Sequence, residues 1–155
     1  MDIFEKLVKT LADKKLKISA AESCTAGLFC SSLASVPGAS YVMEYGFVVY
    51  SEKAKSDVLD VPSKVIEAYG VVSEETARYM AQGAAKRANA DACVGITGYA
   101  GPSSDPGYPV GRVCFGFYFA GKVYSETKEF GDIGRNRVRQ ASAVFAAQRI
   151  LALLT

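Results

Sequence analysis

The amino-acid sequence predicts an α/β protein, a single-domain layered α/β/α sandwich with a mixed sheet. The chain has 155 residues, which suits one domain, 1–155, with a substantial core. Helix-like and strand-like segments alternate along most of the chain, as in proteins whose helices cover a sheet. The last two strand-like segments are adjacent in sequence and predict a hairpin, so the sheet cannot be purely parallel.

The first third of the chain predicts helix, strand, helix and strand in that order. Residues 2–15 place apolar side chains on one helical face, and the extended apolar run 17–21 follows. A helix begins near Leu28 and stops at the Pro-Gly pair 37–38. Residues 41–50 are rich in aromatic and β-branched side chains, which predicts a strand over that whole segment.

The rest of the chain predicts four helices and three strands. Serine N-caps at Ser51 and Ser73 begin two helices, and between them a short helix opens at Pro62 and closes at Gly70. The later elements are a short apolar strand, a long polar loop, a hairpin and an Ala-rich helix. Their expected bounds are 91–97 for the strand, 110–120 and 122–130 for the hairpin, and about 135–153 for the helix.

Composition limits the classes of function. The net charge of +2 does not favour a nucleic-acid partner. The first residues do not resemble a signal peptide, and no apolar run approaches the ~20 residues of a membrane span, so we expect a cytoplasmic protein without a membrane partner. The four cysteines form no Cys-x-x-Cys pair and predict reduced, mostly buried thiols. Cys24 alone lies at a helix start, where a thiolate is stabilised.

The sequence contains no histidine. This absence excludes a Ser-His-Asp triad, a Cys-His pair and any zinc site with histidine ligands. Acid–base chemistry must then use lysine, tyrosine, a carboxylate or water oriented by arginine.

The segment 20–27 (AAESCTAG) joins a predicted strand to a predicted helix. Such a join leaves backbone N–H groups unpaired at the helix start, where they can hold an anion or a developing oxyanion. Ser23 would lie at the mouth of this turn as a nucleophile, or it would be a simple helix cap.

Lys55 and Tyr50 are candidate partners of Ser23. Tyr50 ends a predicted strand and Lys55 lies in the first turns of the next helix, and strand ends of an α/β sheet meet at one edge. Desolvation can lower the pKa of a lysine until its amine accepts a proton. The alternatives are a solvated helix charge for Lys55 and a packed aromatic for Tyr50.

Two further segments are candidates for binding an anionic small molecule. Thr97-Gly98 follows a strand, and its backbone could approach an oxyanion or phosphate, although an ordinary tight loop explains it too. Three arginines, Arg135, Arg137 and Arg139, begin the last helix, where the helix dipole disfavours cations. A bound anion would relieve this arrangement, and a solvated basic face is the alternative.

Five ordered motifs resemble the CinA C-terminal domain family, which includes a stand-alone nicotinamide-nucleotide amidase. The motifs are 21–27 (AESCTAG), 46–55 (GFVVYSEKAK), 70–74 (GVVSE), 97–102 (TGYAGP) and 109–111 (PVG). The resemblance implies hydrolysis of the carboxamide of nicotinamide mononucleotide to nicotinate mononucleotide and ammonia, without a metal or cofactor.

The resemblance also assigns roles to residues. It implies Ser23 as nucleophile, Lys55 as general base and Tyr50 as a tyrosine that assists them. It implies that Thr25, Thr97 and Gly98 line the site. The family's substrate-holding arginine matches Arg135, with Arg137 and Arg139 as rivals, because residues 133–134 appear as an insertion before this segment.

Two other functions stay open at this stage. One is a catalytically silent nucleotide-binding module with the same pocket, and the other is a nucleic-acid-associated protein that uses the arginines of 135–139. For the amidase, the partners are a small-molecule nucleotide substrate and further copies of the chain in a homodimer or larger homo-oligomer.

Overall fold

The computed structural model describes residues 1–155 and contains one five-stranded sheet flanked by six α-helices. The elements are α1 (Ile3–Lys14), β1 (Ile18–Glu22), α2 (Leu28–Ala34), β2 (Phe47–Val48), α3 (Glu52–Leu59), α4 (Ser63–Tyr69), α5 (Glu74–Ala88), β3 (Ala92–Gly98), β4 (Arg112–Phe119), β5 (Lys122–Glu129) and α6 (Arg135–Leu154).

The sheet is mixed, as predicted. Its strand order is β2-β1-β3-β4-β5, with β1 parallel to both β2 and β3. The strands β4 and β5 run antiparallel and close the sheet as a hairpin. The hairpin loop contains two left-handed residues, Ala120 (φ 52°) and Gly121 (φ 77°), which match the twist of the flanking strands.

Helices cover both faces of the sheet, which confirms the three-layer α/β/α sandwich. On one face α1, α2 and α6 pack against each other and the sheet, and on the other face α3 and α4 pack against α5. Each face has its own buried apolar cluster. Along β1 the side chains alternate, so Ala20 belongs to the first cluster and Ala21 to the second.

The predicted helix starts are confirmed by their caps. The Asp2 carboxylate accepts from the backbone N–H of Glu5, and the Glu5 carboxylate accepts from that of Asp2, which forms a capping box. The Ser51 hydroxyl accepts from the N–H of Ala54 at 3.0 Å and begins α3. The equivalent Ser73 contact begins α5. None of the helices is long and apolar enough to cross a lipid bilayer.

The predicted strand over 41–50 is wrong for most of its length. Only Phe47–Val48 is strand, and a 3₁₀ turn at Ala39–Tyr41 precedes it. The segment lies at the sheet edge, where it has one neighbour, and the Ser19 hydroxyl donates to the Tyr45 carbonyl at 2.7 Å in place of a backbone partner. The three tyrosines that suggested burial in a sheet are exposed, with Tyr41 at 75%.

Two paired glycines let α5 lie close to the sheet. Gly95 of β3 and Gly116 of β4 are cross-strand partners. A Cβ at Gly116 would lie 2.1 Å from the Ala77 carbonyl oxygen of α5, and a Cβ at Gly95 would lie 2.5 Å from the same atom. Any side chain at either position would force the helix and sheet apart.

We therefore expect Gly116→Ala to lower the free energy of unfolding by about 1–3 kcal/mol, because the added methyl overpacks the contact with α5. Urea unfolding followed by circular dichroism measures the change. Gln82→Ala, at an exposed position of α5, is the control and should stay within about 0.5 kcal/mol of the wild type. Equal stability of the two variants would contradict the packing argument.

Candidate active site

The turn that carries Ser23 lies at the carboxyl end of β1. The Ser23 N–H donates to the Ile96 carbonyl at 3.0 Å and so extends the pairing with β3. The chain then reverses through two left-handed residues, Ala26 (φ 47°) and Gly27 (φ 98°), before α2 begins. Ser23 is only 8% exposed, so its hydroxyl lies just below the surface.

Lys55 meets Ser23 at this turn. Its Nζ lies 2.9 Å from the Ser23 Oγ, although 32 positions separate the residues in sequence. The side chain is fully buried because Lys55 lies on the inward face of α3, one turn before the buried Leu59. The inward position was visible in the sequence, since a lysine four residues before a core leucine shares its helix face.

The Lys55 amine has only uncharged oxygen partners. Besides the Ser23 Oγ it contacts the carbonyls of Val49 at 2.9 Å and Tyr50 at 3.2 Å. Burial lowers the pKa of Lys55 from 10.5 to about 8, against weaker opposing effects of Cys24 and Glu52. A neutral amine has two N–H donors and one lone pair. If the two carbonyls take the donors, the lone pair faces the serine hydroxyl.

The structure places Tyr50 differently from the expected relay. Tyr50 is 56% exposed, and its phenol oxygen accepts a hydrogen bond from the Arg135 Nη2 at 2.9 Å. The backbone carbonyl of Tyr50, not its side chain, contacts Lys55 and lies 3.4 Å from the Ser23 Oγ. The strand ends at Val48, so Tyr50 turns outward before α3.

The three arginines of α6 have separate surroundings. Arg135 donates to the Gly101 carbonyl at 2.6 Å and to the phenol of Tyr50. Arg139 donates to the carbonyls of Cys24 and Thr25, both at 3.0 Å. Arg137 lines a separate cavity of about 460 Å³ beside β5 and α6. Only Arg135 and Arg139 therefore lie near the Ser23 turn.

The remaining predicted residues have different roles in the structure. Thr25 is buried, and its Oγ1 has no hydrogen-bond partner. The Thr97 hydroxyl donates to the Val71 carbonyl at 2.9 Å, which ties β3 to the start of α5. Gly98 is required by packing, because a Cβ there would lie 2.7 Å from the Val113 Cγ2 of β4.

Three backbone N–H groups of the turn donate to no backbone carbonyl and to no side-chain oxygen. They belong to Cys24, Thr25 and Gly27, whereas Ala26 donates to the Ser23 carbonyl and Leu28 to that of Thr25. Backbone N–H groups without an oxygen acceptor in the chain are available to a bound acceptor. The turn thus presents free donors next to the serine hydroxyl.

Glu22 is the site residue that sequence reasoning missed. Its carboxylate is fully buried and accepts from the N–H groups of Phe29 at 2.9 Å and Cys30 at 3.0 Å. The chain itself therefore supplies an anion to the first turn of α2, and the N–H groups of Phe29 and Cys30 are not available to an external one. The signal was an acidic residue at the end of an otherwise apolar strand.

Cys24 does not have the stabilised thiolate that its position at a helix start suggested. Burial raises the pKa of its thiol to about 12, which outweighs the effects of Lys55 and Arg139. The thiol is neutral at ordinary pH, so the expected stabilised thiolate is wrong.

Neither a metal-binding cluster nor any of the five best-defined surface cavities lies at the Ser–Lys pair. No cluster of three cysteine or acidic side chains is placed to bind a metal ion. Five surface cavities of about 190 to 510 Å³ are lined by other residues than Ser23 and Lys55.

Fold and site together define a three-layer α/β protein with a buried serine–lysine pair at the carboxyl end of its sheet. The model of the CinA C-terminal domain matches residues 1–154, and the chain belongs to this family. A relative in Caldicellulosiruptor bescii named competence-damage inducible protein is 45% identical over 141 residues, which are 90% of this chain and 34% of that protein.

Other relatives agree with this assignment. A competence-damage inducible protein of Clostridium beijerinckii is 45% identical over 93% of this chain and 35% of its own length. This chain thus spans about a third of the curated relatives it matches. A CinA superfamily crystal structure from Escherichia coli has a TM-score of 0.93 at 34% identity, covering 97% of this chain and 88% of that chain. The crystal structure of a competence/damage inducible protein from Agrobacterium tumefaciens has a TM-score of 0.92 at 35% identity, covering 100% of this chain and 98% of that chain.

The lowered pKa of Lys55 predicts a pH-dependent stability. In the unfolded chain the lysine stays protonated up to about pH 10.5, whereas in the folded chain it loses its proton near pH 8. Between these values the unfolded state holds more protons, so the free energy of unfolding rises with pH through this group. Relative to Lys55→Met, the wild type should gain on the order of 2 kcal/mol between pH 7 and pH 10.

Urea unfolding of both proteins at pH 7, 8.5 and 10 measures this difference, and groups common to both cancel. Lys64→Met removes an exposed lysine of α4 and is the control. A difference between wild type and Lys55→Met that stays constant over this range would show that Lys55 titrates normally.

Proposed function

We propose that this protein is an amidase that hydrolyses the carboxamide of nicotinamide mononucleotide to nicotinate mononucleotide and ammonia. The observation that carries the proposal is the 2.9 Å contact between the Lys55 Nζ and the Ser23 Oγ, with the amine buried and its pKa lowered to about 8. Such a pair can activate a serine without histidine, and the chain has none.

The first step is attack by Ser23. The neutral Lys55 amine accepts the hydroxyl proton while its own N–H groups donate to the carbonyls of Val49 and Tyr50. The Ser23 Oγ forms a bond to the amide carbon, and the carbonyl π-electrons move to oxygen. The resulting ammonium keeps three acceptors around it, so the charge is solvated by fixed dipoles.

The oxyanion of the tetrahedral intermediate would be bound by the free N–H groups of Cys24, Thr25 and Gly27. These groups donate to no carbonyl of the chain, so they need not give up an internal oxygen acceptor to bind the substrate. Preorganised donors of this kind contribute about 3 kcal/mol each in other enzymes. The expected contribution of Gly98 has less support, since packing against β4 explains that glycine.

Collapse of the intermediate breaks the carbon–nitrogen bond. The Lys55 ammonium donates its proton to the departing nitrogen, which leaves as ammonia, and an acyl ester remains on Ser23. Neutral Lys55 then takes a proton from a water molecule that attacks the ester. Release of the carboxylic acid returns the hydroxyl and the amine to their starting states.

Arg135 is proposed to hold the phosphate of the nucleotide. It lies at the first position of α6, where no acidic side chain is present in the first turn. Its present partners, the Gly101 carbonyl and the phenol of Tyr50, are neutral, and a phosphate would be the stronger acceptor.

The expected homodimer or larger assembly stays a prediction.

We expect Ser23→Ala to lower the rate of ammonia release from nicotinamide mononucleotide at least about 10³-fold, and Lys55→Met about 10²- to 10⁴-fold. For the wild type, kcat/KM should rise with pH and level off above about pH 8, as Lys55 loses its proton. A coupled ammonia assay over pH 6–10 measures both.

Ser31→Ala on α2 and Lys53→Met on α3 are matched controls at exposed positions and should retain activity. Wild-type activity in Ser23→Ala would refute the mechanism. Binding of the nucleotide without turnover by the wild type would instead identify the silent nucleotide-binding module.

We expect Arg135→Gln to lower kcat/KM for nicotinamide mononucleotide about 10- to 100-fold, mainly through KM, because a charge-assisted phosphate contact is lost. The kcat/KM for nicotinamide riboside, which lacks the phosphate, should fall far less in this variant. Steady-state kinetics with both substrates give the comparison.

Tyr50→Phe separates the side chain from the backbone at the same residue. It keeps the carbonyl that Lys55 binds and removes the phenol that contacts Arg135, so its kcat should change only a few-fold. A loss of kcat as large as that of Lys55→Met would return the phenol to the proton transfer.

A further inference from the structure

Arg139 is attached to the nucleophile turn by two hydrogen bonds. Its Nε donates to the Cys24 carbonyl and its Nη2 to the Thr25 carbonyl, both at 3.0 Å. Its Nη1 donates to the Asn136 Oδ1 at 3.1 Å, which holds the guanidinium against its own helix. The side chain is half-buried and has no carboxylate partner.

These contacts fix the planes of two successive peptide groups. A trans peptide is planar, with its C=O and N–H pointing in opposite directions. The Cys24 carbonyl points to Arg139 on α6, so the Thr25 N–H of the same peptide points away from α6. The next peptide is held at both ends, since the Thr25 carbonyl accepts from Arg139 and the Ala26 N–H donates to the Ser23 carbonyl.

The side of the turn away from α6 is the side of the reacting hydroxyl. The helix α6 packs on one face of the sheet, and α3, which carries Lys55, packs with α5 on the other face. The Ser23 Oγ contacts Lys55 and therefore lies toward α3. A Thr25 N–H directed away from α6 is thus directed to the region where an oxyanion would form.

We infer that Arg139 is a positioning residue that orients the Thr25 N–H as an oxyanion donor. The guanidinium also polarises the Cys24–Thr25 peptide, because a charged donor on the carbonyl strengthens the N–H as a donor. Arg139 itself touches no reacting atom. The inference rests on the proposed amidase function for its catalytic consequence, but the orientation of the peptide does not depend on it.

The variant Arg139→Met keeps the length of the side chain and removes all three hydrogen bonds. We expect it to lower kcat about 10- to 100-fold, because one oxyanion donor is misdirected, with KM changed less than about threefold. The midpoint of the pH–rate profile should stay near 8, since Lys55 keeps its partners. The kcat of Arg139→Lys, whose amine can reach only one carbonyl, should lie between that of Arg139→Met and that of the wild type.

Arg149→Met is the matched control. Arg149 lies on the same helix and also makes two side-chain hydrogen bonds, to Glu126 at 2.8 and 3.3 Å, but it is not near the turn. It should lose some stability and leave kcat unchanged. A fall in kcat in both variants, or in neither, would overturn the inference.

A second readout does not need turnover. In ¹H–¹⁵N spectra, release of a hydrogen bond from a carbonyl shifts the amide of the following residue, so Arg139→Met should shift the Thr25 and Ala26 signals and Arg149→Met should not. If the wild type releases no ammonia, the proposed function fails, and this readout alone decides. Unshifted Thr25 and Ala26 signals in a folded Arg139→Met or Arg139→Lys protein would overturn the inference.

Discussion

The burial of the Lys55 amine is the constraint on which the site depends. A lysine removed from water pays a desolvation penalty unless polar groups replace its hydration. Here the replacements are two backbone carbonyls and one hydroxyl, with no carboxylate among them. The absence of an acidic partner keeps the pKa of the amine close to neutral pH, and a salt bridge at the same place would have kept the lysine charged.

The fold supplies these oxygens through strand ends. The chain between β2 and α3 provides the carbonyls of Val49 and Tyr50 because it leaves the sheet edge just before the helix. The Val49 N–H still donates to the Glu22 carbonyl at 2.9 Å, which locks this segment beside β1. The short edge strand therefore matters more for the two carbonyls that follow it than for its contribution to the sheet.

Much of the fold follows from the sequence because it is local. Capping serines, apolar periodicity and the paired hairpin strands predict nearly every helix and strand. The segment 41–50 failed because strand propensity measures how well a side chain suits a half-buried sheet, and an edge with one neighbour offers no such surface. Its tyrosines have the right chemistry for a strand and are exposed instead.

Part of the candidate site could also be predicted from the sequence, and part could not. Ser23 and Lys55 could be named because strand ends of an α/β sheet converge. The exchange of roles within Tyr50 could not be predicted, since sequence patterns carry no information about which atoms of a residue face a site. The sequence could not distinguish Arg139 from the two other arginines of the segment, because its contacts with Cys24 and Thr25 span more than 110 positions in sequence.

The alternation of β1 has a consequence for how this chain tolerates insertions and deletions. Glu22 faces α2 and Ser23 faces α3, so neighbouring residues serve opposite layers of the sandwich. A single-residue insertion within β1 would move Glu22 to the place of Ser23, which would bring a carboxylate to Lys55 and leave the first turn of α2 without its acceptor. The lysine would then form an ion pair and lose its capacity as a base. The positions of Glu22 and Ser23 along β1 thus decide whether Lys55 can act as a base or only as a permanent cation.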